Sequence, residues 1–189
     1  MAQVRWLKEP RKRVRYLSDD ERKRLLGVMD PGGDLYCVTV LALCTGMRMG
    51  EIQHLTWGRI DLESGYIHLD TSKSGEPRTI PLVGKALELL EQRSQDSRYV
   101  FPDPGDPDKP WYFRDSFRRA VKRAQVPNFS FHCLRGHSCG TFIAATGSTA
   151  LQIAQILGHA DAKMSKRYIH AVAEANREHL AELDRRLFE

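Results

Sequence analysis

At 189 residues, with 41% hydrophobic and 28% charged side chains, the chain has the size and composition of one soluble globular domain. Its 29 basic and 24 acidic residues leave a net charge of +5, which suits a nucleic-acid partner without requiring one. No apolar run is long enough to span a bilayer and the N-terminus lacks the apolar stretch of a secretion signal, so a cytoplasmic protein with no membrane partner is expected.

Residues 1–17 carry a basic run, Lys8, Arg11, Lys12, Arg13 and Arg15. It reads as a linker or arm, and Lys12 and Arg13 are candidates for tracking a DNA backbone. Ser18 with Glu21 three positions later is a capping box that opens a helix to about Met29. Asp30-Pro31-Gly32-Gly33 breaks it. The next helix starts at Asp34, is apolar almost all round and therefore central, and stops at Thr45-Gly46. Arg48 follows at once, with Glu51 three positions on. On the residues alone, anion binding by Arg48 and a surface ion pair with Glu51 are both open.

From Ile60 to Leu82 the periodicity changes to strands, Tyr66–Leu69 and Arg78–Leu82, around a turn at Ser74-Gly75 that carries Lys73. Lysines on turns are commonly just solvated. Val83–Gln95 is an amphipathic helix, Tyr99–Pro102 a short extended piece, and Asp103–Pro110 a Pro/Asp-rich loop expected to be mobile. In the helix expected over Trp111–Ala124, Phe113, Phe117, Ala120, Val121 and Ala124 face inward. Arg114, Arg118, Arg119, Lys122 and Arg123 decorate the other side, which is either a solvated face or a DNA-backbone face.

Ser130 caps a helix that carries His132 and Arg135 and ends at Gly147. His132 and Arg135 share a face by their spacing of three. Ser148 or Thr149 opens the next helix, which Gly158 terminates before His159. Asp161 caps a basic segment with Tyr168, and Ala171–Leu187 is a final amphipathic helix. Imidazoles, a guanidinium and a phenol are groups that suit a phosphodiester: a planar fork for phosphate, a proton carrier and a nucleophile. Cys37, Cys44, Cys133 and Cys139 form no Cys-x-x-Cys pair and read as thiols, most of them on apolar helices. A zinc site from His132, Cys133, His137 and Cys139 lacks the usual spacing.

His132-x-x-Arg135, then Leu157-Gly158-His159, then Tyr168 nine residues on resembles the tyrosine recombinases, the phage-integrase class of site-specific DNA recombinases. Thr45-Gly46-Met47-Arg48-Met49-Gly50-Glu51-Ile52 is similar to that family's first-arginine motif. Thr71–Gly75 ahead of Arg78–Leu82 looks like its lysine-bearing hairpin. The resemblance runs from about Ser18 to the C-terminus, with the motifs in the family's order. It implies a mainly α fold with a small antiparallel sheet, the catalytic-domain fold of that family, over residues 18–189. It implies a catalytic set of Arg48, Lys73, His132, Arg135, His159 and Tyr168, with Glu51 supporting Arg48. Tyr168 would attack a phosphodiester, His132 would take its proton, and Lys73 would protonate the departing 5′ oxygen. The expected product is a 3′-phosphotyrosine, formed without cofactor, metal or ATP. The expected partners are double-stranded DNA, other protomers (a tetramer on DNA, a monomer when free) and accessory DNA-bending proteins. The N-terminal domain that clamps DNA in this family is expected to be missing from the chain.

The match has departures. Cys133 stands where the family usually has Asp, and Gly136-His137-Ser138 makes the run to Gly147 one residue longer. Either a helical bulge absorbs the extra residue, or His137 takes the place of the family's usual His after Arg135. A type IB topoisomerase-like strand transferase and a catalytically weakened DNA-binding module remain as alternatives.

Overall fold

Ser18 opens the first helix as its spacing requires. Its hydroxyl accepts the Glu21 N–H at 3.2 Å and the Glu21 carboxylate accepts the Ser18 N–H at 3.1 Å. The computed structural model describes residues 15–70 and 77–158, with the side chains of 136–138 left aside. Lys12, Arg13, Lys73, His159, Tyr168 and the helix expected after Ala171 lie outside the described residues.

The order is α1 (Asp19–Gly27), α2 (Asp34–Thr45), α3 (Met49–Gln53), then β1 (Ile60–Asp61), β2 (Tyr66–Leu69) and β3 (Arg78–Pro81). After these come α4 (Gly84–Glu91), β4 (Pro102–Asp103), β5 (Asp106–Pro110) and α5 (Arg114–Arg123). The last described elements are α6 (Phe131–Cys133), a π-helical segment (Leu134–Cys139), α7 (Gly140–Ala145) and α8 (Ala150–Leu157). The fold is therefore mainly α with small antiparallel sheets.

α2 is the axis of the core. Cys37 to Ala42 are buried along it, and it packs against α4 and the π-helical segment. Side chains such as Val38 and Leu41, at 0% and 1% exposure, each contribute about 1.5–3 kcal/mol by leaving water. Burial also pushes the Cys37 thiol up to about 11 and the Cys139 thiol up to about 12. The helix ends because Gly46 turns left-handed at φ 63°. That turn delivers Arg48 to the N-cap of α3.

β1, β2 and β3 form one antiparallel sheet, with Ile67 opposite Ile80 and Leu69 opposite Arg78. Two elements differ from the sequence expectation. Asp103–Pro110 is not an unstructured loop: β4 and β5 pair there as a tight hairpin. Asp103 accepts the Gly105 N–H at 2.9 Å and Lys109 pairs with Asp106 at 2.6 Å, so the aspartates that read as loop formers close the turn. α5 begins at Arg114 rather than Trp111, because Phe113 is fully buried at its N-cap.

Residues 131–145 are continuously helical, and the extra residue after Arg135 is taken up by the π-helical segment. The helical-bulge reading is the one the fold adopts. Arg15, read as part of the basic arm, instead holds Glu21 through two hydrogen bonds of 2.9 and 2.7 Å and stacks over the Phe129 ring. Among the described residues no helix is long and apolar enough to cross a membrane.

Candidate active site

The end of α8 is where the site is assembled. A helix leaves its last carbonyls without internal partners and carries a partial negative charge there. Two arginines far apart in sequence fill those positions. Arg48 donates to the Gly158 carbonyl at 2.9 Å, and Arg135 donates to the Leu157 carbonyl. Gly158 closes α8 in the left-handed conformation at φ 61°. A Cβ there would lie 2.6 Å from Nη1 of Arg78, so glycine is required twice over, by backbone and by space.

Arg48 is also held from its own helix. The Glu51 carboxylate accepts the Arg48 N–H at 2.7 Å and its Nη1 at 2.8 Å. The same carboxylate takes both terminal nitrogens of Arg78, at 3.1 and 2.7 Å. The ion pair with Glu51 exists, and the guanidinium it holds is 25% exposed. Burial pushes the Glu51 carboxyl up, but the bonds from Arg78 and Arg48 outweigh this and hold it below the usual carboxylate value. Two guanidiniums on one carboxylate leave the group with a net positive charge.

Arg48, Arg114, Ser130, His132 and Arg135 line one cleft of about 460 Å³, with Met49 and Phe131 as its apolar wall. Phe131 is fixed by ring contacts to Phe113 and Phe117 at 5.1 and 5.0 Å, and this seats His132 beside the cleft. Such ring pairs contribute about 0.5–1.5 kcal/mol each. Arg135 is 4% exposed, so its guanidinium is committed before any ligand arrives. Ser130 stands at the N-cap, but its hydroxyl meets the Cys133 sulfur at 3.3 Å instead of capping the backbone. Cys133 thereby takes up the contact at the position where Asp is usual.

The cations of α5 divide. Arg114 enters the cleft, and reading the five as one face missed this; its place directly after the buried Phe113 was the available signal. Arg119, Lys122 and Arg123 line a separate groove with Leu35 and Ser116. Arg118 pairs with Asp115 at 3.4 Å, and Arg123 donates to the Val28 carbonyl at 2.7 Å. Arg78 was read only as a strand residue. It shares the inward side of β3 with buried Ile80, and a cation in a core register position is a signal for a buried partner. Tyr112, two residues before Arg114, is 65% exposed, contacts His54 and does not line the cleft.

The cleft lining offers three guanidiniums and an imidazole, donors whose chemistry suits an anion held through planar forks. Among the described residues no group of three His, Cys, Asp or Glu side chains is placed to hold a metal ion.

Comparison with known proteins agrees with this geometry. The model of the phage integrase family matches residues 15–175. A shufflon-specific DNA recombinase of Escherichia coli is 32% identical over 159 residues, covering 82% of this chain and 40% of its own. The catalytic domain of bacteriophage HP1 integrase superposes with a TM-score of 0.66 at 28% identity, covering 82% of this chain and 86% of that one. The crystal structure of XerA recombinase superposes with a TM-score of 0.76 at 24% identity over 93% of this chain and 66% of that one, which is a likeness of fold. The chain spans about half the length of the curated relatives it matches. With the first-arginine motif and the His-x-x-Arg helix lining one cleft, and both arginines bonded to the end of α8, the chain belongs to the phage integrase family.

Proposed function

We propose that the chain is the catalytic domain of a site-specific recombinase that cleaves and rejoins double-stranded DNA through a covalent 3′-phosphotyrosine. The observation that carries this reading is the convergence of Arg48 and Arg135 on the last carbonyls of α8, beside His132 in one cleft.

A phosphodiester repels nucleophiles by its charge, so transfer depends on neutralisation and positioning. Arg48 and Arg135 supply the charge to the non-bridging oxygens from positions fixed in advance. His159 adds a hydrogen bond. Tyr168 attacks in line; its free pKa is about 10, so a base must remove the proton as the bond forms. His132 is that base. Lys73 donates a proton to the departing 5′ oxygen. The phosphotyrosine keeps the energy of the broken linkage, and the 5′ hydroxyl of another strand reverses the step without ATP. The cations that stabilise the transition state are side chains of the protein.

DNA is the substrate that fits the cationic cleft, and the shufflon-specific relative is a DNA recombinase. Assembly as a tetramer on DNA, a monomeric free state, accessory DNA-bending partners and a DNA-backbone role for Lys12, Arg13, Arg118, Arg119, Lys122 and Arg123 belong to the same proposal. So does a cytoplasmic location, and so does a C-terminal segment after Ala171 that reaches a neighbouring protomer.

The test is a pool of duplexes randomised around a nick, incubated with the protein and resolved under denaturing conditions. A covalent adduct on a restricted set of sequences is expected. An adduct on any sequence, with relaxation of any supercoiled plasmid, favours a topoisomerase instead. DNA binding without an adduct reduces the chain to a binding module.

A further inference from the structure

We infer that Arg78 is a positioning residue for strand cleavage, acting through Glu51 to keep the Arg48 guanidinium turned toward the scissile phosphate. The inference rests on the recombinase reading above and adds a residue to it.

The fork of Arg78 closes on both oxygens of Glu51, at 3.1 and 2.7 Å, and both side chains are only 10% exposed. Each Glu51 oxygen is therefore shared between Arg48 and Arg78. Without Arg78, one carboxylate and one guanidinium would remain as partners. Their best geometry is a parallel pair of hydrogen bonds. Reaching it would draw Nη2 of Arg48 from the Gly158 carbonyl, where it donates at 2.9 Å, onto Glu51. Both donors that set its direction would then be spent on a neutralising partner. Arg78 prevents this by occupying the second lone pairs of Glu51, so that Glu51 keeps one Nη1 contact and the backbone N–H of Arg48.

Arg78 also lies against the backbone of Gly158, where a Cβ would come within 3.2 Å of three of its atoms. One side chain on β3 thus touches the carboxylate that directs Arg48 and the helix terminus that both arginines use. Arg78 stands five positions after Lys73 in sequence. The strand that follows Lys73 in the sequence is in this way fastened to the first-arginine motif.

The test compares Arg78→Met, Glu51→Gln and the double variant, each checked for a cooperative thermal transition. The Arg78→Lys variant, which keeps the charge and loses the fork, substitutes for Met if the Met variant does not fold. Adduct formation is followed at saturating and sub-saturating nicked DNA. We expect Arg78→Met to slow cleavage at saturation about 100-fold, the scale of a 1 Å misplacement in a catalytic site. The DNA concentration giving half the maximal rate should stay within about threefold of wild type, since binding is not what Arg78 supplies. In the Glu51→Gln background the same Arg78→Met change should cost no more than about threefold, because its intermediary is already disabled. Equal losses in both backgrounds, or a loss of DNA affinity at an unchanged maximal rate, would overturn the inference. Absence of any adduct with the wild-type chain would instead remove the recombinase reading itself.

Discussion

Gly158→Ala puts a number on how tightly the arginines and the α8 terminus are packed. Two costs add. The left-handed backbone at φ 61° costs an alanine about 1–2 kcal/mol. The new Cβ would sit 2.6 Å from Nη1, 3.0 Å from Cζ and 3.2 Å from Cδ of Arg78. An unrestrained arginine would swing aside cheaply, but this one is fastened to Glu51 by two short bonds. Hydrogen bonds to charged groups contribute about 1.5–3 kcal/mol each, so losing one of them sets the second cost at roughly 2 kcal/mol. The expected total is about 3–4 kcal/mol, a large part of the 5–15 kcal/mol typical of a domain. Urea unfolding read from the midpoint measures it. In an Arg78→Ala background the steric part vanishes and Gly158→Ala should cost only the backbone part, about 1–2 kcal/mol. A full-size cost in both backgrounds, or no more than a few tenths of a kcal/mol in the wild type, would refute this packing.

Three further outcomes are expected. Glu51 has a folded pKa below its ordinary value of 4.5, so its contribution to stability is complete above about pH 4.5 and is lost as the pH falls through the lower folded value. Urea unfolding from pH 6 to pH 3 should therefore be less acid-sensitive in Glu51→Gln than in wild type; parallel curves would count against the buried pair. Arg135→Lys should lose about 3–4 kcal/mol of transition-state stabilisation in the adduct assay, because a point charge cannot make both the Leu157 contact and a phosphate fork. Near-normal cleavage by this variant would argue against bidentate binding. Lys73→Ala should be slow on ordinary DNA and restored by a substrate with sulfur at the bridging 5′ position, since sulfur leaves without protonation. If sulfur gives no rescue, Lys73 is not the acid.

The parts of the fold that were legible in the sequence are those fixed by local backbone chemistry. The Ser18–Glu21 box, the left-handed Gly46 and Gly158, and the change to strand periodicity at Tyr66 each depend on residues a few positions apart. The one-residue excess after Arg135 was visible as a departure, and the structure absorbs it in a π-helical segment from which Arg135 bonds the end of α8. The β4–β5 hairpin was misread because Asp and Pro were weighed as loop residues, whereas the Gly105 N–H bond that the Asp103 carboxylate accepts makes this a turn. The motif order fixed Arg48, His132 and Arg135, and the structure brings these three to one cleft. Arg114 was grouped with the rest of the α5 cations; its place after Phe113 hinted otherwise, but how α5 meets Phe131 across the core is a tertiary fact. Arg78 was overlooked for a related reason. Its partner, Glu51, is 27 positions away on α3, and only the tertiary packing of β3 beside that helix brings them together.

The central claim is that this cleft presents a DNA phosphate to Tyr168. It is tested most directly by trapping the covalent adduct on nicked DNA, digesting it, and locating the modified peptide by mass spectrometry beside a Tyr168→Phe control. The account predicts a nucleotide attached through its 3′ phosphate to the peptide containing Tyr168, and no adduct from the phenylalanine variant, which should still bind DNA. An adduct of undiminished yield in Tyr168→Phe, or attachment mapped to Tyr112 or to Ser130, would contradict it.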